Sequence, residues 1–186
     1  MRKDFKNKPY IYPQPVLIIA TFNEDNTANA MNAAWGGVAD DDKIFMCLSK
    51  EHKTIKNILN RKAFTVSIGT LKTLAESDYF GIVSGNKVKN KVEQVNFHIE
   101  KSKYVDAPII LEYPLTLECE LISYDENTCA LFGKIINTNV DESILSNGKI
   151  DPNKLQAISF DIVNAKYLLV KDVVGNAFKD GTKLIK

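Results

Sequence analysis

The chain reads as short apolar runs separated by turn-forming residues. Residues 16–22 (VLIIATF) are almost wholly apolar and rich in branched side chains, and Asn23-Glu24-Asp25-Asn26 closes the run, the pattern of a buried strand and a turn. Residues 27–32 return from that turn as the second strand of a hairpin and end in an amide-rich stretch. Residues 43–48 predict a third strand, entered through Asp40-Asp41-Asp42. The spacing Ile55, Ile58, Leu59 predicts a helix over residues 54–61. Residues 63–68 alternate Phe64, Val66 and Ile68 inward against Thr65 and Ser67, so this strand is expected to be half-buried. A second helix over 71–82 follows from Leu71, Leu74, Ala75 and Ile82, with Ser84-Gly85 ending it.

Residues 115–123 and 128–139 predict the clearest antiparallel pair, with Leu115, Leu117, Cys119 and Leu121 on one face. If the turn falls at Asp125-Glu126-Asn127, so that Tyr124 faces Thr128, then Cys119 stands across from Gly133. Residues 141–153 form a polar excursion of loops or a short helix, and a last strand over 158–162 leads to 166–170. About six short strands, mostly hairpin-connected, with helices after the third and fourth, predict a mainly β fold with inserted helices: a closed or half-closed antiparallel barrel. A doubly wound sheet would need regular strand–helix alternation, and Gly36-Gly37 lacks the GxGxxG pattern, so no nicotinamide-binding domain is expected.

With 186 residues and 45% hydrophobic composition, residues 1–186 are expected to form one domain around one core. The 24 basic and 23 acidic residues leave a net charge of +1, which does not favour nucleic acid or an anionic membrane as partner; any basic site must be local. The opening MRKDFKNKPYIYP is charged and breaks on prolines, and no apolar run reaches the roughly 18 residues of a membrane helix, so a cytoplasmic location is expected. Cys47, Cys119 and Cys129 have no CxxC spacing and are expected to be buried, reduced, small hydrophobes. The triple aspartate reads as a solvated turn, and no metal is expected. His98, between Phe97 and Ile99, is expected to be partly buried and without a role.

Two stretches carry candidate chemistry. Asn29-Ala30-Met31-Asn32-Ala33-Ala34-Trp35-Gly36-Gly37 sets amides and the only tryptophan among residues too small to fill a core, which suits a flat ligand. It also fits an ordinary strand end and turn. Ser49-Lys50-Glu51-His52-Lys53-Thr54 gathers hydroxyls and cations at a helix start, where free N–H groups and the helix dipole favour a phosphate. Ser49 or Thr54 fits a plain helix cap equally well. A planar head and a phosphate tail together describe a flavin mononucleotide. Lys50 and Lys53 would disfavour a protonated His52, whereas a bound phosphate would favour it.

The order PVLIIAT, NAMNAAWGG, a strand, then a basic Ser/Thr segment opening a helix resembles the flavin reductase-like, or flavoredoxin, family of FMN-binding proteins. SGNKVKNK (84–91), APIILEYPLTLECEL (107–121), FGKI (132–135) and VGNAFKDG (174–181) agree in order, so the resemblance spans nearly the whole chain. It implies an FMN-binding split β-barrel and a homodimer with flavin beside the two-fold interface. It implies non-covalent FMN, with electrons entering from NADH or NADPH or passing to and from another redox protein. The implied cofactor-binding set is Asn29, Met31, Asn32, Ala33, Ala34 and Trp35 on the ring side, then Ser49, Lys50, His52, Lys53 and Thr54 towards the phosphate. Ser84, Gly85 and Lys91 complete it, Lys91 being the lysine that the family places near the phosphate end. No catalytic side chain is expected: the chain has no G-x-S-x-G and no HExxH, and in a flavoprotein the cofactor carries the electrons.

Overall fold

The structure is a computed structural model that describes residues 1–185. Seven antiparallel strands form one curled, half-barrel sheet in the order Ala28–Ala33, Leu17–Phe22, Ala63–Ile68, Leu115–Asp125, Ala130–Val140, Lys43–Cys47 and Gly36–Asp40. The Gly36–Asp40 edge strand lies where the sequence reading placed only a loop and a turn; it pairs with Lys43–Cys47 through a bulge between Val38 and Asp40. A second, three-stranded sheet joins Gln14–Pro15, Ile158–Asp161 and Lys166–Leu169.

The unbroken apolar run of the Leu17–Phe22 strand reflects cover on both faces. Leu17 and Ile19 enter one cluster with Ile55, Ile58, Phe64 and Leu131, while Val16, Ile18 and Ala20 enter another with Phe80 and Ile110. Helix α1 (Lys53–Arg61) buries Ile55 and Ile58 in the first cluster. Helix α2 (Leu74–Ile82), which follows a 3₁₀ turn over Leu71–Thr73, lays Phe80 into the second against the hairpin that ends in Asn32. The two helices therefore flank one hairpin, and its far end lies between their termini.

Several expectations need correction. The Ala63–Ile68 strand is not half-buried, because its Thr65 and Ser67 face is covered as well: Thr65 Oγ1 donates to Pro108 O at 2.7 Å, and the Ser67 and Thr116 hydroxyls lie 2.8 Å apart. In the long hairpin, Asp125 rather than Tyr124 closes the turn opposite Ala130, and Tyr124 faces Leu131. Asp125 Oδ1 accepts from Asn127 N at 2.8 Å, and Cys129 adopts φ 61°, which lengthens the turn. Gly133 therefore faces Leu121, and Cys119 faces Ile135. Only Cys119 is buried; Cys47 is exposed and Cys129 intermediate. His98 is exposed, with Nδ1 2.8 Å from Glu112 Oε1. Among the described residues, no helix is long and apolar enough to cross a membrane.

Candidate functional site

A cavity of about 440 Å³ lies where the hairpin end, the start of α1 and the end of α2 converge. Its walls come from distant parts of the chain. Met31, Asn32, Ala33, Ala34 and Trp35 line one region, His52, Lys53 and Thr54 another, and Ser84, Gly85 and Lys91 a third. Ala33 and Ala34 present little beyond backbone, and Trp35 is 53% exposed, so its ring is open to a ligand.

The helix-start region leaves its donors unpaired. His52 is the N-cap of α1 but makes no side-chain cap bond, and the Lys53 and Thr54 backbone N–H groups make no hydrogen bond among the described residues. The positive end of the helix dipole lies at the same place. Asn29 is buried behind the cavity, where its Nδ2 donates to Thr54 Oγ1 at 2.8 Å and leaves the threonine hydroxyl proton free to turn outward. Gly85 packs against this pair so closely that a Cβ there would collide with Asn29 Oδ1. Asn86 Nδ2 donates to Glu51 O at 2.8 Å, tying the loop after α2 to the segment before α1.

Lys91 opens the short helix α3 (Lys91–Gln94) and is 1% exposed, so it is not one of the solvated lysines of its segment. Its Nζ donates to Val83 O at 2.7 Å and to Phe80 O at 3.4 Å, closing carbonyls at the end of α2 while facing the cavity. Burial lowers its pKa to about 8. His52 is also shifted below the ordinary histidine value, first by burial and then by the Lys91 charge.

Three expected ligands are not in the cavity wall: Asn29, which lies behind it, and Lys50 and Ser49. Lys50 Nζ reaches Glu126 Oε2 at 3.3 Å on the exposed tip of the long hairpin, and Ser49 Oγ accepts from Glu51 N at 3.3 Å. Both belong to the turn leading into α1, and neither side chain lines the cavity, although His52 at its end does. Conversely, sequence reasoning missed Val16, Cys47, Leu48, Phe80, Gly81, Ile82, Val83, Phe160 and Tyr167. Gly81 carried a usable signal, since a glycine inside a helix costs about 1 kcal/mol against alanine and marks a close approach. The Asn32 side chain packs there, its Cβ 3.4 Å from where a Gly81 Cβ would stand. Phe160 and Tyr167 come from the second sheet, and nothing local in their strands points to a site.

The sequence model of the flavin reductase like domain matches residues 10–154, and the chain belongs to that family. Its structure resembles flavoredoxin of Desulfovibrio vulgaris (Miyazaki F), at 33% identity over 97% of this chain and 100% of that one, with a TM-score of 0.93. Flavoredoxin from Methanosarcina acetivorans is similar at 28% identity over 100% of both chains, with a TM-score of 0.89. An FMN-binding domain of a flavin reductases-like enzyme from Shewanella baltica OS155 shares the fold at 19% identity, covering 88% of this chain and 89% of that one with a TM-score of 0.77. The half-barrel sheet is thus that of the flavin reductase-like split barrels.

Proposed function

We propose that the chain binds FMN non-covalently in this cavity and moves electrons through it, between a reduced nicotinamide or a redox protein and an acceptor. The observation that carries this is the joining, in one cavity, of a small-residue wall beside an open tryptophan to a helix start with free N–H groups, Thr54 and two cationic side chains. Thr54, Lys53 and the α1 N–H groups would hold the phosphate, with Lys91 adding charge from behind. Ala33 and Ala34 would let the backbone approach the ring edge, and Trp35 would cover part of its open side. Bound FMN supplies the redox chemistry; the protein orients it and sets the polarity around it. The two flavoredoxin likenesses favour a second reading, an electron carrier that does not oxidise nicotinamide itself.

Anaerobic mixing of the FMN-loaded protein with NADH or NADPH separates the two. Rapid loss of the oxidised-flavin absorbance marks a reductase; absorbance that persists until a reduced redox protein is added marks a carrier. A protein that takes up no FMN overturns both. We further propose a homodimer, in which a second copy covers the rim of a long flat cofactor. The aromatic arm at Tyr10 and Tyr12 and the tail around Phe178, all exposed in one chain, are the candidate contacts.

A further inference from the structure

The charge of the chain is unevenly placed around the cavity. Residues 50–56 and 87–91 hold six of its 24 basic residues and one of its 23 acidic ones, so the rest carries 18 basic against 22 acidic. The fold brings these two segments together. Asn86 Nδ2 donates to Glu51 O at 2.8 Å, and a Cβ on Gly85 would stand 3.2 Å from the Lys53 Cβ. Further along, Asn57 of α1 donates to Asn23 Oδ1 at 2.9 Å, and the Asn23 amide reaches Lys89 O at 3.5 Å. That turn brings Glu24 and Asp25 to one edge of the patch. Lys53 and Lys91 belong to the cavity wall, and Lys50 is paired with Glu126. Lys56, Lys87 and Lys89 are different: all three are exposed, none lines the cavity, and none enters an ion pair among the described residues. A ligand held inside the cavity does not account for them. The cavity itself opens on apolar carbon, since Trp35 and Ile82 line it and are 53% and 75% exposed. An apolar lip with cations spread along a helix and a loop is the anatomy of a protein contact rather than of a small-ligand site.

We infer that this lysine face is where an acidic one-electron redox protein docks, over the cavity mouth, to exchange electrons with the flavin. This rests on the proposal that the cavity takes FMN. The net charge of the chain hides the face, because the acidic excess elsewhere cancels it. The attraction is local: it steers encounter and is screened by salt. The apolar lip lets the partner close over the flavin without stranding a charge. Two molecules of reduced partner each give up one electron, and the flavin takes both together with protons from water.

The test uses the full-length, FMN-loaded protein as wild type and as the triple variant Lys56→Glu, Lys87→Glu, Lys89→Glu. Each is mixed anaerobically with three reductants: reduced plant-type ferredoxin as the acidic protein probe, the methyl viologen radical as a cationic one, and NADPH. Flavin reduction is followed at ionic strengths from about 0.01 to 1 M, over which the screening length falls from about 30 to 3 Å. Reduction of wild type by ferredoxin should slow at least about tenfold across that range. The variant should be slower than wild type by about tenfold or more at low salt, with a flat or reversed salt dependence. Its flavin content should be unchanged, and its rate with the viologen should equal or exceed that of wild type. A wild-type flavin that ferredoxin does not reduce, or reduces at a rate that ignores salt, overturns the inference while the FMN reading stands. A variant that matches wild type with ferredoxin does the same. So does a loss confined to NADPH, which would give the face to a dinucleotide phosphate. If wild type takes up no FMN, the reading itself falls. Should the triple variant fail to fold, Lys87→Glu with Lys89→Glu, on the loop alone, carries the same test.

Discussion

Lys91 is a buried cation that faces the cavity, and its two possible duties can be separated. It closes the carbonyls of Phe80 and Val83, which is a structural duty, and it is a buried cation lining the same cavity as His52, Lys53 and Thr54, which is where a binding duty would arise. Lys91→Met keeps the stem and removes the charge. If Lys91 attracts phosphate, that variant should weaken FMN by about ten- to a hundredfold and leave riboflavin, which lacks the phosphate, unaffected, because hydrogen bonds to charged groups contribute roughly 1.5 to 3 kcal/mol. Equal losses for both ligands would make it a prop for α2 alone. Thr54→Ala should show the same discrimination, again about tenfold or more for FMN only. The pH dependence has a definite sign. With a folded pKa of about 8, below the ordinary 10.5, Lys91 carries its charge below about pH 8, so FMN affinity in wild type should fall as pH rises past 8, and Lys91→Met should remove that fall. Stability moves the other way: between about 8 and 10.5 the unfolded chain holds the extra proton, so this group's contribution to stability rises with pH over that window. In sequence only the family resemblance singled out Lys91 for the phosphate end, and nothing in its segment announced its burial. Alternating lysines look alike in sequence, and only the docking of α3 against the hairpin distinguishes Lys91 from Lys87 and Lys89.

At the level of elements, the hairpins and both helices are written in local periodicity, and what escaped the sequence is what depends on a second layer. Thr65 and Ser67 look solvent-facing within their own strand; their partners, Pro108 and Thr116, come from other elements. The register of the long hairpin shifted because Cys129 takes a left-handed conformation and bulges interrupt the ladder, neither of which an apolar/polar pattern records. Ser49 and Lys50 carried the right chemistry for a phosphate, yet in the turn before α1 Lys50 reaches the Glu126 tip and Ser49 Oγ accepts from Glu51 N. Gly133 shows how tightly the hairpin sits on the core, since a Cβ there would strike the ring of Phe64. Gly133→Ala should therefore destabilise by about 1 to 3 kcal/mol, the usual range for overpacking. A urea titration reads this as a lower midpoint; a midpoint equal to wild type would mean that the strands are free to spread.

On the scale of the whole molecule, the described tail from Val170 onward is exposed throughout, with Val173, Val174, Phe178, Leu184 and Ile185 at 75% or more. Five large apolar side chains in one exposed segment are expensive to leave in water. A second copy of the chain is the proposed cover, so light scattering should return twice the 20.8 kDa chain mass, and removal of residues 171–186 should shift it towards the monomer. A full-length protein that stays monomeric with flavin bound would remove the dimer from the account.

The central claim, that the cavity is an FMN site with Trp35 at its ring end, has one direct measurement, because Trp35 is the only tryptophan in the chain. Titrating the flavin-free protein with FMN while following tryptophan emission should give a saturable quench with one FMN per chain. Riboflavin should quench only at much higher concentration. Tryptophan emission that does not change up to saturating FMN, or a protein that never saturates with FMN, would contradict the assignment.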